Sequence, residues 1–205
     1  KRVLYNVIGP VWEGNQVWLI LGGGAIFAAW PVLYAMAFSG FYLAMLLLLV
    51  ALIVRPVAIK YRSKMESQQW RNRWDTIWCL SGLISALVFG VAVGNVLLGV
   101  PFGFDPATLR PLYSGSFFGL FTPFALLTGV VSIVLLAFQG AVVLSWKTNG
   151  PVAQRAVRSA RITGLLMLLL FIGAGVWVAT GLEGQVITSV IEPGAFSNPL
   201  SKTVE

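Results

Sequence analysis

The sequence predicts an all-α integral membrane protein, a polytopic transmembrane helix bundle with at least five spans. Composition is the first ground: of 205 residues, 58% are hydrophobic and only 10% charged, where soluble domains carry about a quarter charged. Mean hydropathy is +0.85. The second ground is a pattern, because uncharged windows recur along the chain at a length close to the roughly 20 apolar residues that a helix needs to cross a bilayer.

The first window is the longest. From Gly14 to Val54 there are 41 consecutive residues without Asp, Glu, Lys or Arg, room for two crossings and a tight turn. Spans are expected over residues 16–36 and 39–54, turning around residues 37–40. The third is expected over 76–99, between Asp75 and Asp105, and the fourth over 122–146. The fifth is expected over 162–182, between Arg161 and Glu183. No repeat, low-complexity tract or soluble domain interrupts them, so residues 1–205 read as a single helical bundle. Lys1 rather than Met begins the sequence, and the expectation is a piece of a longer chain.

Charge supports the alternation. If every span crosses, one side receives Lys1, Arg2, Arg55, Lys60, Arg62, Lys64, Arg71, Arg73, Lys147, Arg155, Arg158 and Arg161, and the other only Arg110 and Lys202. Twelve against two is a strong positive-inside bias, which assigns the first side to the cytoplasm. It also accounts for the formal charge of +7 without a nucleic-acid partner. Trp12, Trp18, Trp74, Trp78 and Trp146 fall near the same side, and Trp30 and Trp177 near the other, as indole rings at headgroup level would. Trp70, Trp74 and Trp78 repeat every four residues and are expected on one helical face, as interface anchors before any stacking role.

Small residues mark where helices meet. Gly22, Gly23 and Gly24 thin the first span, Gly90 and Gly94 form a GxxxG step in the third, and Gly173 and Gly175 lie in the fifth; such positions let backbones approach in lipid. The triple glycine has neither a strand before it nor Lys-Ser/Thr after it, so it is no phosphate loop. Residues 55–75 read as a basic cytoplasmic loop with a short amphipathic helix, residues 99–123 as an ordered outer cap rich in Gly, Pro and aromatics, and residues 181–205 as a further outer segment.

Chemistry-bearing residues are few. The chain has no histidine and one cysteine, Cys79, so it offers no imidazole to a metal or haem and no internal disulfide. No Ser-His-Asp, Cys-His or paired-carboxylate set exists for catalysis by this chain alone. Glu13 is the leading candidate among the ionisable groups near the hydrocarbon, between Trp12 and the pair Asn15 and Gln16. Burial would raise its pKa and suit it to proton transfer, with Asn15 and Gln16 holding a water chain. On spacing alone the plainer account comes first: an acid at the positive end of the first span. Arg55 ends the second span and is a candidate partner for Glu13, with snorkelling to the headgroups as the alternative. Asn95, Gln139 and the Ser and Thr residues within spans are candidate interhelical hydrogen-bond donors.

WEGNQVWLILGGGAIFAAWPVLYAMAFSGFY (residues 12–42), RPVAIKYRSK (55–64), WRNRWD (70–75), GNVLLGVPF (94–102), YSGSFF (113–118), LLTGVVS (126–132) and FSNPL (196–200) together resemble subunit II of the cytochrome bd-type quinol oxidases, over essentially the whole chain. Set against that family, the chain is expected to lack the first transmembrane helix and the last few. The resemblance implies a complex of a bacterial cytoplasmic membrane that oxidises ubiquinol or menaquinol and reduces oxygen to water. Haems b558, b595 and d would then be ligated by subunit I, against which this chain packs, with a small accessory subunit as a further partner. Glu13 matches a family acid, often Asp, assigned to a cytoplasmic proton path, and Trp12, Asn15, Gln16 and Arg55 match motif positions. The resemblance thus raises a proton role for Glu13 above the helix-start account. A small-molecule transporter and a purely structural membrane partner are the alternatives. Against the transporter stands the absence of broken-helix pairs and internal symmetry.

Overall fold

The computed structural model describes residues 2–105, 108 and 110–182. Six helices follow in order: α1 (Arg2–Ala29), α2 (Pro31–Gly40), α3 (Tyr42–Tyr61), α4 (Gln68–Leu98), α5 (Pro123–Lys147) and α6 (Pro151–Gly181). Between α4 and α5 lie two three-residue strands, β1 (Phe102–Phe104) and β2 (Pro111–Tyr113), paired antiparallel with Phe102 opposite Tyr113, and then a 3-10 turn over Phe118–Leu120. The chain divides into two compact units, Lys1–Ala174 and Gly175–Glu205. Of the second, the described part is the end of α6 and Leu182, where Trp177 lies against Gly181. Lys1, Glu183, Lys202 and the FSNPL block fall outside the described residues.

Four helices, α3 to α6, are long and apolar enough to cross a membrane. All-α polytopic architecture therefore stands, with three changes to the expected elements. The first concerns the opening hairpin. Residues 16–36 do not form one helix: α1 begins at Arg2 and ends at Ala29, and a second helix starts at Pro31. Proline has no N–H to donate and disfavours helical backbone in the residue before it. Trp30 accordingly sits at φ −137° and ψ 69°, and Pro31 takes the first helical position. The 28 residues of α1 are long enough to cross, but with Glu13, Asn15 and Gln16 in its middle α1 is not among the helices apolar enough to do so. The second change is that the amphipathic lead expected within residues 55–75 is not separate. It is the start of α4, which runs unbroken for 31 residues. Third, α6 begins eleven residues before the expected fifth span and carries Arg155, Arg158 and Arg161 within the helix.

Packing centres on α4, which makes the most extensive contacts, with α5 on one side and α3 on the other. Lipid tails are as apolar as leucine, so apolar burial alone gives helices little reason to associate there, and close van der Waals fit decides. The expected GxxxG step supplies it. A Cβ on Gly90 would lie 2.5 Å from the Thr128 carbonyl oxygen and 2.6 Å from the Gly129 Cα. One on Gly94 would lie 2.8 Å from the Ala125 Cα. By contrast Gly22, Gly23, Gly24, Gly173 and Gly175 face open space within this chain. Gly23 and Gly24 border a recess that Tyr34 and Phe38 of α2 also line, without the close backbone approach seen at Gly90 and Gly94.

Polar groups in this core look after themselves. Ser85 Oγ donates to the Ser81 carbonyl and Ser81 Oγ to that of Trp78, each at 2.8 Å, the usual outlet for a hydroxyl within a helix. Buried Asn95 does more. Its amide donates to the Val91 carbonyl of its own helix and to the Leu120 carbonyl of the 3-10 turn, both at 2.8 Å, so the expected interelement donor ties α4 to the cap. The described residues between 99 and 123 form that cap: Gly40 at the end of α2 meets the rings of Phe102 and Tyr113. Gly99 leaves α4 at φ 80°, a conformation that side chains resist. Thr122 then starts α5 by accepting the Ala125 N–H at 3.2 Å, with Pro123 at the first turn.

Replacing Gly94 by Leu forces α4 and α5 apart. Overpacking of this kind costs about 1–3 kcal/mol, and a lower melting temperature of the purified protein in detergent, with lower yield, is the expected outcome.

Candidate functional site

Because α1 starts at Arg2, the residues around Glu13 lie in mid-helix, and their phase matters. Ile8, Trp12, Asn15, Gln16 and Leu19 are spaced by three and four and share one face. Opposite them α3 contributes Arg55 and Ile59, and α4 contributes Trp78. Together these eight residues enclose a cavity of about 200 Å³. Water fills about 30 Å³ per molecule in the liquid, so several waters fit. The lining offers two side-chain amides, which donate and accept, and a guanidinium, which only donates. Arg55 is half-buried.

Four of the five residues singled out by sequence, Trp12, Asn15, Gln16 and Arg55, thus come together at this cavity. Glu13 does not join them. It lies about 100° round the helix from Trp12, is exposed on this chain, and is absent from the lining. Among the described residues no ion pair joins Glu13 to Arg55, so the expected pairing is not made. The reason is rotational: α3 and α4 take the Trp12 face of α1, and the carboxylate leaves along a flank.

Below the cavity the three helices are stitched by polar contacts. Arg62, just after α3, donates from Nε and Nη2 to the two oxygens of Asp75 near the start of α4. Tyr5, in the first turns of α1 and before its apolar part, donates its hydroxyl to Asp75 Oδ1 at 3.2 Å. The Arg62 guanidinium also lies 5.3 Å from the centre of the Tyr5 ring, and that ring sits 4.7 Å from the ring of Trp78. A paired guanidinium–carboxylate is the strong form of such a bond. Asp75 holds Arg62 above its ordinary pKa. Burial, with the Asp75 charge and hydrogen bond, pushes the Tyr5 hydroxyl up to about 12. Trp70 donates its indole N–H to the Tyr61 carbonyl at 2.8 Å and meets Trp74 edge-on, 5.6 Å between centres. The tryptophans of the expected stripe are therefore packed into the α3–α4 turn and against α1, a firmer role than interface anchoring.

Sequence reasoning passed over Tyr5, Arg62, Asp75 and Trp78 as site residues. The available signal was the three- and four-residue spacing from Ile8 to Leu19, which becomes visible once the first helix is extended back to Arg2.

The family model for cytochrome bd terminal oxidase subunit II matches residues 1–199. The chain belongs to that family. It is 50% identical over 204 residues to the cytochrome bd-I ubiquinol oxidase subunit 2 of Escherichia coli strain K12, covering 100% of this chain and 54% of that protein. It is 48% identical over 204 residues to a probable cytochrome oxidase subunit 2 of Haemophilus influenzae, covering 100% of this chain and 53% of that protein. To the cytochrome bd ubiquinol oxidase subunit 2 of Bacillus subtilis it is 33% identical over 170 residues, 82% of this chain and 48% of that protein. The chain therefore spans about half the length of the curated relatives it matches. All the residues of the cavity and of the Tyr5–Arg62–Asp75 cluster fall inside the stretch that the family model matches.

A tyrosine held at a raised pKa stabilises the fold below its unfolded value, near 10, and loses that contribution as pH rises from there through about 12. The expected outcome is a late-titrating tyrosinate in an ultraviolet titration that vanishes in Tyr5→Phe. Asp75→Asn removes the carboxylate from both Arg62 and Tyr5. A loss of about 2 kcal/mol, typical for a hydrogen bond to a charged group, is expected in chemical unfolding.

Proposed function

We propose that this chain is part of subunit II of a bd-type quinol oxidase, packing against a haem-bearing subunit I, supporting its oxygen-reducing site and contributing to a cytoplasmic proton path. The family match over residues 1–199 carries this proposal, and the names of the relatives specify ubiquinol oxidase. Ubiquinol or menaquinol is the electron donor, and oxygen is reduced to water. Haems b558, b595 and d belong to subunit I, as the resemblance to the family implies, and the absence of histidine in this chain agrees with that division. A small accessory subunit completes the assembly.

Topology follows the charge bias. Residues 55–75 and 147–161 face the cytoplasm, and residues 99–123 and 181–205 the outer side of the bacterial cytoplasmic membrane, with residues 1–205 forming one part of a single bundle. The Tyr5–Arg62–Asp75 cluster and the polar cavity then lie at the cytoplasmic end.

In the proton path, Asn15 and Gln16 hold water in the cavity by their amides, Arg55 sets a positive potential there, and Trp12 packs its wall. Glu13 is the group that takes and releases the proton. Its place on the flank of α1 supports a carboxylate working at the boundary with a neighbouring chain or segment, reached from the cavity through water rather than by direct contact.

Oxygen consumption with a reduced quinol by the full complex, wild type beside Glu13→Gln, tests this. Haem bands intact with turnover down at least tenfold, within the range that general acid–base groups supply, is the expected result. Unchanged turnover leaves Glu13 a helix-flank acid and this chain a structural partner. A complex without haem overturns the oxidase assignment.

A further inference from the structure

On the side of α1 away from the polar cavity lies a second recess. Val3, Val7, Pro10 and Val11, again spaced by three and four, form a stripe that faces Val143 near the end of α5. The recess is an open groove of about 440 Å³, and its polar groups, Asn6, Lys147 and Thr148, belong to the basic end of the chain. Thr148 uses its hydroxyl on the Leu144 carbonyl at 2.6 Å, which leaves the Lys147 ammonium and the Asn6 amide to face a ligand. No acidic residue lines the groove, and Arg2 adjoins Val3. Glu13 falls about 90° round α1 from the valine stripe.

We propose that this groove holds an anionic glycerophospholipid of the leaflet at the basic end, with its phosphate on Lys147 and Asn6 and an acyl chain along the valine stripe. Polarity matches an amphiphile, being apolar along α1 and cationic at the mouth. The Lys147 ammonium sits 4.5 Å from the centre of the exposed Trp146 ring, and this residue pair is at home among headgroups.

The full-length complex, delipidated in detergent and titrated with phosphatidylglycerol or phosphatidylcholine under native mass spectrometry, tests the proposal. Wild type is expected to retain one phosphatidylglycerol in preference to phosphatidylcholine. Lys147→Gln should lower that preference about fivefold, the effect of one basic residue at an anionic surface, and Lys147→Arg should keep it. Val7→Trp, which fills the groove, should remove the bound lipid while leaving the melting temperature within a few degrees. Equal retention of the two lipids by wild type, or a Lys147→Gln complex that behaves as wild type, overturns the proposal. So does a wild type that retains no lipid together with a sharply lower melting temperature in Val7→Trp, since a segment of protein then fills the groove.

Discussion

Backbone meeting backbone between α4 and α5 is the contact on which the rest of this bundle depends. In water, two helices with apolar faces associate to escape solvent; in lipid that drive is nearly absent, and what remains is dispersion at short range and hydrogen bonding. Gly90 and Gly94 bring α4 to within van der Waals distance of Thr128, Gly129 and Ala125, a fit that any side chain would spoil. With α4 fixed on α5, its other side receives α3. Asn95 carries the same fixed position outward to the cap through the Leu120 carbonyl. The bundle is therefore organised from its middle, and α1 and α2 are added to a platform already set.

How α1 is added decides the site. Its register on the platform is held where Tyr5 reaches Asp75 and stacks near Trp78, at the same carboxylate that receives Arg62. One acid thereby ties the ends of three helices. Once that end is pinned, helical geometry places Trp12, Asn15 and Gln16 toward α3 and α4 and turns Glu13 outward. A rotation of α1 by a single residue would move each of these side chains about 100° and dismantle the cavity. At the far end, Pro31 stops α1 from continuing, and Trp30 leaves the helical conformation, so that α2 can return toward the aromatic cap instead of prolonging the crossing.

Two recesses on opposite faces of α1 give that helix a double role. One, lined by amides and a guanidinium, suits ordered water; the other, lined by valines with a lysine at its mouth, suits an amphiphile. Between them lies a flank that carries the carboxylate. The same helix also has three glycines with open space before them, a contrast with Gly90 and Gly94, whose space is already taken. No residue of α1 is buried within this chain, consistent with a chain that spans about half the length of its relatives.

Sequence by itself determined the class of the protein, the membrane helices that became α3 to α6, and the close step at Gly90 and Gly94. These follow from local quantities: apolar length against bilayer thickness, and the volume of single residues. The resemblance over residues 12–42 and 55–64 also picked out Trp12, Asn15, Gln16 and Arg55 before any contact was visible. What the tertiary structure alone decided is where these residues face. Hydropathy windows sum a property along the chain and carry no rotational phase, so they began the first helix at residue 16 and hid the stripe that starts at Ile8. They also placed Glu13 beside Arg55 because both lie near one boundary, while packing sent the two side chains to different sides of α1. Phase is set by which neighbour a helix touches, through Tyr5, Asp75 and Arg62 here, and contacts 13 and 70 residues apart in sequence leave no local mark to read.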